Sequence, residues 1–120
     1  MALNIVGGTV SPSTALVIDA KTSTTYTFVL TDANNELITA SNASAQTYTI
    51  PLNSSVAYPI GSQINVIQIG AGQVTFVGAS GVTVASAGAT SAQPKTRVQY
   101  SCASLIKVGT DTWYVVGDIA

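Results

Sequence analysis

Histidine is missing from this chain, and charge is nearly so: four Lys or Arg and five Asp or Glu leave charged residues at 8% of 120. Without histidine the commonest general base and a frequent metal ligand are gone, and the many serines have no imidazole to activate them. Lys21 and Lys107 are candidate bases for a serine, but nothing specific supports either pairing. The four cations are too few to neutralise a run of phosphates, so no nucleic-acid partner is expected. The one cysteine, Cys102, excludes an internal disulfide. The opening MALNIVGGTV has no basic stretch and no long apolar run. It is read as neither a secretion signal nor a membrane span, and no membrane partner is expected.

Apolar residues take the place of charge, at 47% of the chain. Soluble domains carry about 25% charged residues and use them to stay dispersed. A chain this poor in charge is expected to cover part of its surface with other copies or with a partner. Its length suits one domain.

Strand signals run from end to end. Ala40–Ala85 is cut by Pro51, Pro59, Gly61, Gly70, Gly72, Gly78 and Gly81, with β-branched residues between the breaks. Thr14–Asp19 is a continuous apolar run that suits a buried strand. Thr24–Thr31 alternates, with Tyr26, Phe28 and Leu30 on one face, and a turn at 32–35 is expected to fold it back onto Glu36–Ser41 as a hairpin. Gln46–Ile50 ends at Pro51. Gln63–Ile69 is apolar on both faces, so both are expected to be covered. Gly70-Ala71-Gly72 reads as a hairpin loop into Val74–Val77, and Gly78–Gly81 as the turn into Val82–Ala85. Ser86–Pro94 reads as a loop. Arg97–Val108 is expected to be one long strand with a bulge near Ala103-Ser104. Gly109–Asp111 then turns into Thr112–Val116. The expected fold is all-β, a small antiparallel sandwich or barrel.

Each chemical motif has a plainer explanation. Asp32, Asn34 and Glu36 could offer three oxygens to Ca²⁺, but the full loop needs Gly and Glu where Leu37 and Ala43 stand. A solvated turn is preferred, with no metal and no cofactor. Gly70-x-Gly72 lacks the third glycine and the helix of a dinucleotide loop. Asn42-Ala43-Ser44 and Asn53-Ser54-Ser55 fit a glycosylation pattern that matters only in a secreted eukaryotic protein. Cys102, in phase with Val98 and Tyr100, reads as a buried structural thiol. Tyr26, Tyr48, Tyr58, Tyr100, Trp113 and Tyr114 could line a glycan site, but core or interface packing is preferred. Asp111 and Asp118 are close in sequence without a sign that they share a cleft, so a glycosidase is disfavoured. The chain is not expected to be an enzyme.

Several runs together resemble a β-module of tailed-bacteriophage virion proteins. They are Ala40–Ala45, Tyr48-Thr49-Ile50-Pro51, Pro59–Ile64, Gly70–Phe76, Gly81–Val84, Ala103–Val108 and Trp113–Asp118. The resemblance covers about residues 24–118 and implies a capsid decoration (cement) protein or a fibre module, often a trimer. The short segment ahead of the module favours decoration. The major capsid protein is then the implied partner, the capsid surface of the virion the location, and shell stabilisation the role. The alternative is a fibre or receptor-binding module that contacts a host glycan. Residues 1–22 are expected to form an N-terminal arm or edge strand, and 23–120 the β-module. Within the arm, Leu3, Ile5, Val6 and Val10 are candidate capsid contacts, since they want a dry partner. Phe28, Ile67, Phe76, Tyr100 and Trp113 are candidates for core or trimer packing.

Overall fold

The computed structural model describes residues 4–6, 9–11 and 15–120. Among them the strands are β1 (Asn4–Val6), β2 (Thr9–Ser11), β3 (Val17–Lys21), β4 (Thr25–Thr27), β5 (Glu36–Ala40), β6 (Gln46–Ile50), β7 (Gln63–Gln68), β8 (Val74–Gly78), β9 (Thr83–Ser86), β10 (Cys102–Gly109) and β11 (Thr112–Gly117). The one helical piece described is a 3-10 turn, Leu30–Ala33. The all-β expectation therefore stands.

The pairing is mixed, and this corrects the antiparallel expectation. Strands β3, β5 and β7 lie side by side and parallel in one sheet, while β4, β6 and β8 lie side by side and parallel in another. The chain thus winds as three coils, each giving one strand to each sheet before climbing to the next. Coil follows coil in register, with Tyr26 opposite Tyr48 and Tyr48 opposite Phe76. After the third coil, β10 adds antiparallel to β7 and β11 antiparallel to β10. Strand β9, parallel to β11, closes a six-stranded sheet ordered β3-β5-β7-β10-β11-β9. Among the described residues, antiparallel strand pairing joins β7–β10–β11 and, as a sheet of its own, β1–β2, with isolated antiparallel bridges at Thr75–Lys95 and Thr96–Ile119.

The expected hairpins became corners for local reasons. Asp32 accepts hydrogen bonds from the Val29 amide at 2.8 Å and the Tyr26 hydroxyl at 2.6 Å. These bonds wind residues 30–33 into a 3-10 turn, so β4 stops at Thr27 and β5 pairs with β3, not β4. At 70–72 the chain crosses between sheets. A Cβ on Gly70 would lie 2.5 Å from the Asn42 nitrogen, and one on Gly72 only 1.8 Å from the Ser44 oxygen. Only glycine lets the third coil lie this close to the second. Asn42 pins the corner: its side chain donates to the Thr22 carbonyl at 2.7 Å and accepts from the Ser44 amide at 2.8 Å. Its own carbonyl accepts from the Gly72 amide at 2.8 Å.

The core lies between the two sheets. Phe28, Ile38, Tyr48, Ile50, Ile64, Val66, Phe76, Leu105 and Trp113 are all buried there. Tyr26, Phe28, Tyr48 and Phe76 meet edge to face, with ring centroids 5.5–6.4 Å apart, as aromatic quadrupoles prefer. Strand β7 lies inside its sheet and buries one face, with Ile64, Val66 and Gln68; on the other face Asn65 and Ile67 are half-buried and Gln63 is exposed, so the expected cover on both faces is only partial in the single chain.

Other boundaries also differ from expectation. The long strand over 97–108 is shorter: β10 starts at Cys102, because residues 98–101 turn tightly with Tyr100 at φ 71°. The register shift falls between Lys107 and Gly109, not near Ala103-Ser104. The run expected as a buried strand over 14–19 is not buried in its described part, 15–19. Strand β3 is the outer edge of its sheet, and Val17 and Ile18 are exposed. It pairs with β5, so the segment 1–22 includes a strand of the body.

Candidate functional site

The first coil closes one end of the winding with polar groups. Asp19 stands in line with the buried Ile38 and Val66, and Lys21 in line with Ala40 and Gln68. Below them the interior is mainly apolar, with Gln46, Gln68, Thr96 and Lys107 as buried polar exceptions, whereas at this level it is an ionic and hydrogen-bonded lid. Lys21 pairs with Asp19 at 3.3 Å and lies 4.5 Å from the centre of the Tyr26 ring. Tyr26 donates to Asp32, which is buried. Burial, and the acceptor it serves, push the Tyr26 phenol far above its usual value. The Glu36 carboxyl is also pushed up, first by burial and then by its hydrogen bond with Asp19 and the nearby acids. One Glu36 oxygen, Oε1, is buried without a partner. Inward charges and a polar terminal layer are the usual ways to end a stack of strands without inviting another.

The carboxyl oxygens of Asp19, Asp32 and Glu36 lie within 4.8 Å of one another. Sequence spacing suggested Asp32, Asn34 and Glu36; the structure groups Asp19 with the two acids, and Asn34 is not in the cluster. Asp32 already accepts two hydrogen bonds and Asp19 holds Lys21, so the trio acts as a structural network.

Around this lid the surface is apolar. Leu16, Val17, Ile18, Val29 and Leu30 are each 45–62% exposed, on β3 and the connections beside it. Scattered apolar residues on a surface are ordinary, but a group of them on an open sheet edge is a place for a partner. At the opposite edge, β9 and β11 border a shallow groove of about 380 Å³, lined mainly by Ala85, Ala87, Val115, Val116 and Ile119 with Tyr114.

The remaining residues singled out from sequence are dispersed. Phe28, Phe76 and Trp113 are buried, and Tyr58 packs edge-on to Trp113 at 5.2 Å. Tyr100 is 68% exposed. Of the six aromatics that could line a glycan site, Tyr48, Tyr58 and Trp113 are buried and only Tyr100 and Tyr114 are exposed. Cys102 is exposed on the outer face, contrary to the buried thiol expected, and partial desolvation pushes its thiol up. Asp118 binds Arg97 at 2.7 Å and Ser101 at 2.7 Å, while Asp111 accepts the Asn53 amide at 2.7 Å. Each of these acids is committed to the fold. Leu3 lies outside the described residues, as do the side chains of Ile5, Val6 and Val10, whose backbones form β1 and β2.

Two features were missed. Lys107 is a core residue: it alternates in phase with Ala103 and Leu105, a signal present in the sequence. The coil repeat was also readable, since Thr25-Tyr26-Thr27, Thr47-Tyr48-Thr49 and Thr75-Phe76-Val77 stack in register. No family model matches this chain, and no curated protein is similar to it.

Proposed function

We propose that this chain is a non-enzymatic structural module that assembles as a homotrimer on the outer surface of a phage capsid and stiffens the shell. The observation that carries the reading is the exposed apolar group on the open β3 edge, in a chain with 8% charged residues. Covering such a surface removes apolar area from water, at roughly 25 cal/mol per Å². The phage part of the reading rests on the sequence resemblance. A protein that binds the assembled shell and not free subunits stabilises the shell by mass action, and the major capsid protein is the partner.

The test is sedimentation of the purified protein with undecorated capsids. Co-sedimentation together with a raised melting temperature of the shell is the expected result. Protein left in the supernatant at every concentration would overturn the reading.

One observation favours the fibre reading: parallel coils can in principle be extended by stacking, and β3 is unpaired at its edge. The polar lid inside the first coil weighs against that extension. Copy number in purified particles separates the two. Copies comparable to the capsid subunits mean decoration, and copies comparable to the tail appendages mean a fibre.

A further inference from the structure

Lys107 is 2% exposed and points from β10 into the core. Its Nζ donates to Asn53 Oδ1 at 2.6 Å and to the Tyr58 carbonyl at 2.7 Å. No carboxylate among the described residues lies within 4.0 Å of it. A buried ammonium held only by neutral oxygens is costly, and the arrangement also points its nitrogen at an amide. The Asn53 Cγ is one bond beyond Oδ1, so this hydrogen bond sets the amine beside the amide carbon it would attack. Asn53 is held in place from behind. Its amide donates to Asp111 Oδ1 at 2.7 Å, and the next residues turn back with Ser55 and Val56 both donating to the Leu52 carbonyl at 3.0 Å. Trp113 stands opposite Lys107 across β10–β11, and Tyr58, whose carbonyl accepts from Nζ, packs edge to face on Trp113; both are buried.

We propose that Lys107 and Asn53 join in an intramolecular isopeptide bond, tying β10 to the segment that follows β6. The ammonium passes the proton it shares with Asn53 Oδ1 to that oxygen, from which it moves on to Nδ2, and the freed lone pair adds to Cγ. The adduct then collapses, the Nζ–Cγ bond stays and the Cγ–Nδ2 bond breaks. Two protons from Nζ end on the departing Nδ2, so one amide N–H and one ammonium ion replace the five hydrogens, and the charge is unchanged. No oxidant, reductant or co-reactant is required. Asn53 is half-buried, which gives the ammonium a way to solvent. The product removes the buried charge, and this supplies a driving force. Asp111 is a positioning residue that acts through the Asn53 backbone.

The test is the intact mass of the purified, folded full chain. The expected value is lower than the sequence mass by one ammonia. Tryptic digestion should then give a branched peptide joining the Asn53 and Lys107 segments, with no cleavage after Lys107. Lys107→Met and Asn53→Ala should each restore the sequence mass. Asp111→Asn should slow the mass loss after refolding and Asp111→Glu should recover it; equal rates in all three would remove Asp111 from the proposal. A folded wild-type chain at full sequence mass overturns the bond, whatever the variants do. So does a deficit confined to a linear peptide, which would be a succinimide at Asn53.

Discussion

Trp113 and Tyr100 show how far side chains of similar type diverge in this molecule. Trp113 is 1% exposed against Tyr58, whereas Tyr100 stands out from a tight turn. Trp113→Ala should cost about 3–5 kcal/mol, the usual range for deleting a buried aromatic. Tyr100→Ala should change the stability of the isolated chain by less than about 0.5 kcal/mol. Denaturant melts of the two variants side by side check both. Glu36 makes a prediction about pH. Burial and the neighbouring acids raise its carboxyl above the ordinary 4.5, so in that window the folded chain binds more protons than the unfolded one. Stability from this group therefore falls as pH rises above 4.5. Asp118 works the other way: Arg97 and Ser101 hold it below 3.8, so its contribution is present above that value and lost as pH falls. Glu36→Gln should flatten this loss and raise the stability at neutral pH. Urea midpoints at acid and neutral pH measure it; a lower midpoint for the variant at neutral pH would show that the charged form is favoured.

Among the elements, corners decide more than strands. Gly72 sits where a Cβ would collide with the Ser44 carbonyl of the coil beneath, so backbone would have to yield. Gly72→Ala should cost about 1–3 kcal/mol, the range for forced overpacking, visible as a lower melting temperature. A smaller loss would show that the second and third coils can separate cheaply. The β1–β2 pair is the opposite case, a two-stranded sheet that, among the described residues, pairs with no strand of the body. Deleting residues 1–12 should leave the body folded, as judged by its circular dichroism and melting. On the proposed function, the same deletion should abolish co-sedimentation with capsids. Retained binding would move the anchor to the loops around 78–81 or 86–94, and an unfolded product would make the hairpin part of the fold.

For the molecule as a whole, the apolar edge at one end and the low charge throughout argue for assembly. Light scattering at micromolar concentration should give three subunits, and a clean monomer would sink both the trimer and the covered-edge argument. Substituting Ile18→Lys on that edge should shift the equilibrium toward monomer without unfolding the chain. An unchanged trimer after that substitution would place the contact on another face.

The residues alone pointed to the all-β class of this chain. Period-two alternation in Thr24–Thr31, β-branched residues in Gln63–Ile69, and glycines at the breaks are local properties, legible because a strand's two faces are written in its own sequence. The same alternation marks Lys107 as inward, and the repeated Thr-Tyr-Thr as a rung. Which strand lies beside which was decided only by the tertiary structure. A turn residue such as Asn34 or Gly72 serves a hairpin or a corner equally well, and the choice depends on what lies across the gap. Asn42 and Ser44 lie under Gly70 and Gly72, so those glycines carry the chain to the other sheet and do not turn it back. The acid cluster was hidden for the same reason. Asp19 is far from Asp32 and Glu36 in sequence, and joins them only because β3 and β5 run parallel in register.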